Sequence, residues 1–185
     1  MTRIVGVIGT AGREPSTIPR LKLLYPKMVQ TVLGMTTPDD VLQSGGAAWA
    51  DHVAVSIFKI WSRQGLDAKI NLFLPCDFDF TGCYFTGVGA QAETARIANY
   101  YHRIFSKAMG SDTLLGLAEV LRMPGCEWYV GEGFKPRNLD VGKCDLLIAQ
   151  TFAVGSYPAD GGTEHCWRNS KALQKIHVSL AGMEP

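Results

Sequence analysis

Residues 144–174 read "CDLLIAQTFAVGSYPADGGTEHCWRNSKALQ". The first nine form an apolar run of strand length, the strongest strand signal in the chain, and a polar loop carries it into Gly161, Gly162 and Thr163. Helix-compatible residues follow from about 164 to 174. A strand running into a glycine turn and then a helix is a pattern suited to accepting a phosphate, because backbone N–H groups can come close to an anion there.

The same pattern recurs outward from this stretch. "RIVGVI", Arg3 to Ile8, is a β-branched run that stops at "GTAG", and "DVLQSGG", residues 40–46, is a second short strand ending in paired glycines. A helix over "RLKLLYPKMVQTVLGM" follows the first strand, with Pro26 expected to kink it or start its second half. "AAWADHVAVSIFKIWSRQG" has apolar residues at helical spacing and closes on Gly65, and "AKINLFLPC" is the third strand. This alternation predicts an α/β fold with a mainly parallel sheet and right-handed crossovers.

The middle is less regular. "DFDFTGCYFTGVGAQAE" reads as an aromatic, glycine-rich loop, and two helices follow it, the second capped by Ser111 or Asp112. "EWYVGEGF" is a strand or turn, "KPRNLDVGK" a short helix, and "KIHVSL" a last strand. The expectation is one domain over residues 1–185, with a helical and loop insertion around 77–125.

Composition narrows the function classes. Lys and Arg number 18 against 17 Asp and Glu, so bulk positive charge does not drive counterion release, and nucleic acid is not an expected partner. No apolar run approaches the roughly 18 residues of a membrane span, and no membrane partner is expected. Five cysteines without a C-x-x-C pair read as free thiols in a reducing, cytoplasmic setting, and neither a metal site nor a cofactor is expected.

Three strand ends carry small residues, and in an open parallel sheet such ends can converge on one crevice. The candidate ligand-binding residues are Gly9, Thr10, Ala11 and Gly12 in the first turn, Ser44, Gly45 and Gly46 in the second, and Gly161, Gly162 and Thr163 in the third. Arg13 and Arg137 are placed to clamp a phosphate, Asp51 to cap its helix or bond a ribose, and Glu164 to hold a sugar or accept a proton. His165 beside Glu164 reads as packing or a solvent contact. Neither G-x-G-x-x-G nor G-x-x-x-x-G-K-[ST] is present, which removes most ordinary NAD oxidoreductases and P-loop NTPases.

Several fragments together resemble one family. "SGGAAWADHVAVSIFKIW" is similar to its GGA-x-G-x-D segment, "LFLPC" to the strand after it, "PRNLDVGKCDLLIA" to its RN-x-x-M-V-D segment, and "GGTEHCWRNSKALQKIHV" to its GGT ending. These belong to the SLOG superfamily of Rossmann-like nucleotide-ligand proteins, which includes the lonely-guy phosphoribohydrolases, DNA-processing protein A and the YspA/YpsA-related proteins of bacteria and phages. The last branch looks closest, and "YYHRIFSKAM" looks like its inserted helix.

The resemblance implies a doubly wound sheet with helices on both faces and a ligand over the glycine turns, with Asn138 beside Arg137 in the RN segment. It also implies a homodimer or higher homo-oligomer. The expected function is binding of a nucleotide or nucleotide-derived ligand, as a sensor or sequestering protein. The alternative is an N-glycosidic hydrolase that releases the base from a nucleoside 5′-monophosphate, with Glu164 and Arg137 catalytic and Asp51 and Glu93 as weaker carboxylates. The hydrolase carboxylates would fall at His165 and Cys166, so Glu164 stands one step early. Phe78, Phe80, Tyr84 and Phe85 suit a lid or, preferably, a subunit interface, which the apolar helix "TLLGLAEVL" would also serve.

Overall fold

The computed structural model describes residues 2–159 and 161–185. Among these, six strands form one parallel sheet in the order β6-β3-β2-β1-β7-β8, with β1 at Ile4–Gly9, β2 at Val41–Ser44, β3 at Lys69–Leu74, β6 at Cys126–Val130, β7 at Leu146–Thr151 and β8 at Gln174–Ser179. The fold is α/β and doubly wound. The short pair β4 (Phe78–Asp79) and β5 (Tyr84–Phe85) makes a separate antiparallel hairpin.

Alternation along the central strands feeds two apolar layers. Val5 and Val7 of β1 and Leu146 and Ile148 of β7 join the larger core, whereas Ile8, Leu147 and Ala149 join a smaller one with Val141 and Cys166. The helices α1 (Ile18–Leu33), α2 (His52–Arg63), α3 (Ala90–Met109) and α4 (Thr113–Val120) pack together over the first core. The other layer holds α5 (Phe134–Val141) and α6 (Gly161–Asn169), packed on each other. A strand buried on both faces needs an unbroken apolar run, which is why "LLIAQT" is buried at every position.

Pro26 lies inside α1, which runs through it from Ile18 to Leu33 with Pro19 in its first turn, so the helix does not restart there. Two local readings change. The segment before α2 is a turn, with Trp49 at φ 64°, so that helix begins at His52. The last helix starts at Gly161 and ends at Asn169: glycines cost little in a first turn whose N–H groups have no helical partner, and the Asn169 side-chain amide donates to the His165 carbonyl at 2.8 Å.

Asp112 caps α4, its carboxylate accepting from the N–H groups of Leu114 and Leu115 at 3.0 Å each. Asp112→Ala is expected to cost about 1 kcal/mol. In a chain of this size that lowers the thermal midpoint by about 2–4 °C, read by circular dichroism.

Candidate functional site

After β1 the chain builds outward through β2, β3 and β6, then returns to place β7 on the other side of β1. The reversal opens a crevice beyond the carboxyl ends of β1 and β7, the position where open parallel sheets bind ligands. A cavity of about 270 Å³ occupies it.

The first turn forms one wall, with Gly9, Thr10, Ala11 and Arg13 lining the cavity. The Thr10 N–H donates to the Gln150 carbonyl at 2.9 Å, and the Ala50 N–H donates to the Thr10 carbonyl at 3.2 Å. A Cβ on Gly9 would stand 2.1 Å from the Gln150 oxygen, so glycine here serves the close approach of β7. Opposite, the Thr163 hydroxyl donates to the Gly9 carbonyl at 2.7 Å, and the Asn138 side-chain amide donates to the Gly162 carbonyl at 3.1 Å. These bonds lock the first turn, α5 and the start of α6 to one another.

Arg13 lies across the start of α6. Its Nη1 is 3.3 Å from where a Cβ on Gly161 would stand, and Gly161 holds φ 62°. The side chain is exposed, and among the described residues no carboxylate pairs with it. A guanidinium and a helix N-terminus therefore put two positive fields on the same volume.

Arg137 is the deeper cation. Its Nη1 donates to Asp51 Oδ2 at 2.9 Å, with both side chains only 7% exposed. Its Nε is buried with no hydrogen-bond partner among the described residues, while the residue lines the cavity. A Cβ on Gly45 would fall 0.9 Å from Nη1. The second turn is thus a niche for the Arg137 guanidinium.

The second turn stands apart from the main cavity. The Ser44 hydroxyl donates to the Asp51 carbonyl at 2.8 Å and accepts from the Gly46 N–H at 3.4 Å, so the turn closes on itself, and Ser44 and Gly46 are absent from the cavity wall. The Gly46 carbonyl accepts at 3.0 Å from the ring of His102. Gly12 is also outside the wall, beneath Trp49: a Cβ there would stand 2.5 Å from the indole nitrogen.

The carboxylates divide differently from expectation. Glu164 pairs with Arg168 along α6 at 2.5 Å and does not line the cavity, and Glu93 pairs with Arg96 on the surface of α3 at 2.6 Å. Asp51 and Glu14 do line it. His165 lies outside the wall. Cys166 is in the wall, and burial pushes its thiol up to about 12, with Asp51 adding to the effect, which favours the protonated thiol.

His102 is buried against the second turn. Its Nε2 donates to the Gly46 carbonyl, and its Nδ1 stands 3.0 Å from the Thr113 hydroxyl oxygen. Burial lowers its pKa to about 4, outweighing the Gly46 carbonyl and Asp112, which raise it. His52, with its ring centroid 5.7 Å away, is held well below its ordinary value by burial and by the neighbouring His102 and Lys59.

In the aromatic loop Phe78 and Phe85 are buried in the core, edge to face with centroids 5.2 Å apart, whereas Tyr84 is exposed. The inner side of α4, including Leu117 and Val120, is also core. Glu14, Thr17, Phe134, Thr151 and Phe152 line the cavity without having been singled out in the sequence. Thr151 and Phe152 had a signal, since they stand at the carboxyl end of the strongest strand.

The chain is 31% identical, over an alignment of 186 positions that covers 96% of each sequence, to an uncharacterized protein of Acanthamoeba polyphaga mimivirus. No family model matches it.

Proposed function

The chain belongs to the same family as the mimivirus protein, and we propose that it binds a nucleotide or nucleotide-derived ligand as a non-catalytic sensor or sequestering protein of SLOG type. The observation that carries this reading is the convergence, at the sheet's switch point, of the N-terminus of α6 with the Arg13 guanidinium, which pairs with no carboxylate among the described residues. The half-satisfied Arg137 beside it supports an acceptor in the same volume, because a buried donor without a partner costs about 1–3 kcal/mol. A small molecule suits a cavity of about 270 Å³ better than a macromolecule does.

Of the two carboxylates expected to act, Asp51 is committed to Arg137 and Glu164 to Arg168 outside the wall, which weighs against glycoside cleavage by either. Incubation with nucleoside 5′-monophosphates and mass analysis of bound and free species tests this: an intact bound nucleotide is expected, and released base overturns the non-catalytic reading. Arg13→Ala removes an exposed side chain, so stability should hold within about 0.5 kcal/mol. Calorimetry should show affinity falling about 10- to 100-fold, the worth of a charged hydrogen bond.

A further inference from the structure

The two edges of the sheet differ. β8 carries Lys175, a residue type that keeps edges from pairing. β6, "CEWYV", has neither lysine nor proline, and it forms the flank remote from the crevice. Its Trp128, Tyr129 and Val130 are 38%, 48% and 41% exposed.

The ladder on the inner side of β6 leaves a defined set of backbone groups open. The Ile70 N–H donates to the Gly125 carbonyl at 2.9 Å, and the Gly131 N–H donates to the Leu74 carbonyl at 2.8 Å. In a parallel register with Ile70 beside Cys126 and Leu74 beside Val130, residues 125, 127, 129 and 131 turn their polar groups to β3. Cys126, Trp128 and Val130 therefore turn theirs outward. The Cys126 N–H is taken by the Met123 carbonyl at 3.2 Å. Among the described residues, the N–H groups of Trp128 and Val130 and the carbonyls of all three have no partner.

Antiparallel pairing of this strand with itself suits those groups. An axis through Trp128 uses all three outward residues, with Trp128 opposite Trp128 and Cys126 opposite Val130 of a second copy. It also sets Glu127 opposite Tyr129 in both directions, an acceptor-only carboxylate against a phenol donor. An axis one residue either way pairs fewer of the outward groups, and the earlier one sets Glu127 against Glu127. The facing side chains are already held in place. The Tyr129 hydroxyl donates to Glu127 Oε2 at 2.8 Å, its ring stacks on Phe73 with centroids 5.2 Å apart, and Trp128 lies against Phe80 at 5.6 Å. We propose that β6 is the docking edge for a second copy of this chain, joined antiparallel about a two-fold axis at Trp128 into one continuous sheet. The two crevices then open at opposite ends of that sheet, so association does not depend on what either crevice holds.

A short strand pair belongs to the interfaces that bury less than about 1,200 Å² in total. A dissociation constant on the order of 10–100 μM is therefore expected, read by sedimentation velocity of the full chain from about 1 to 300 μM without added ligand. Val130→Pro removes an outward N–H and none of the bonds to β3, and an edge strand accepts proline at such a position. Trp128→Lys sets like charges face to face on the axis. Each variant, shown to be folded by circular dichroism, should weaken association at least about tenfold, and either decides alone should the other fail to fold. A native chain that sediments as a monomer throughout overturns the proposal and leaves the edge to a different partner. Association that persists in a folded variant uses another surface or register and overturns it too.

Discussion

Asp51→Ala is expected to lower the unfolding free energy by roughly 3–5 kcal/mol, because it leaves the Arg137 guanidinium buried without its counter-charge. The niche cannot relax around that charge easily. Gly45 backbone stands where any side chain would strike Nη1, and the aliphatic part of Arg137 is held on α5, whose Asn138 is tied to α6. Arg137→Met removes the charge and keeps most of the volume, so the double variant Asp51→Ala/Arg137→Met should recover part of the loss. Urea unfolding of the single and double variants measures this. A loss below about 1 kcal/mol for Asp51→Ala would mean that water reaches the guanidinium in its niche.

Acid should destabilise the fold well before most carboxylates titrate. His102 is neutral when folded down to about pH 4, whereas in the unfolded chain it takes a proton near its ordinary 6.5. Between those values the unfolded state binds more protons, so stability falls as pH falls, by about 1.4 kcal/mol per pH unit for this one histidine and roughly 3 kcal/mol across the window. His52 shifts in the same direction and steepens the slope. Urea midpoints at half-unit steps from pH 7 to 4 should show the decline, and His102→Gln, which can keep one hydrogen bond and cannot titrate, should remove one histidine's share. A slope unchanged in that variant would mean that His102 is solvated and titrates alike in both states.

The order of elements was legible because burial leaves a period in the sequence. The unbroken run in β7 and the alternating residues of β1 announce strands covered on both faces, and the reversal beside β1 follows from the parallel order. Helix starts were less legible. Gly161 and Gly162 look like loop residues, yet they open α6, because a first turn makes no demand on the property glycine lacks.

In the site, the first and third turns could be read from strand ends. The second turn could not: Ser44-Gly45-Gly46 has the same local signature, but its glycine exists for an arginine 92 positions later in the chain, and no local pattern carries a contact of that range. The smaller cavity of about 70 Å³ beside Arg13 and Arg137 was equally hidden. Ile97, Ala98 and Tyr101 look like ordinary helix residues, and only the packing of α3 against the second turn turns them into a wall.

The cleft also has a history in time. Its outer wall comes mainly from residues 8–17 and 134–166, segments separated by more than a hundred residues. A ribosome releases the first turn long before β7 and α6 exist, so the nascent chain must hold its first strand unpaired on one side until its last third emerges. Parallel pairing over such distances is slow, since the loop must close before any contact rewards it. A molecule held between Arg13 and α6, as proposed, would bridge the earliest and latest parts of the polypeptide and recognise only the finished chain. At a hundred times its dissociation constant it would add about 2.7 kcal/mol to the folded state. Cells in which that molecule is abundant would thus keep more of the newly made protein past the reach of proteases.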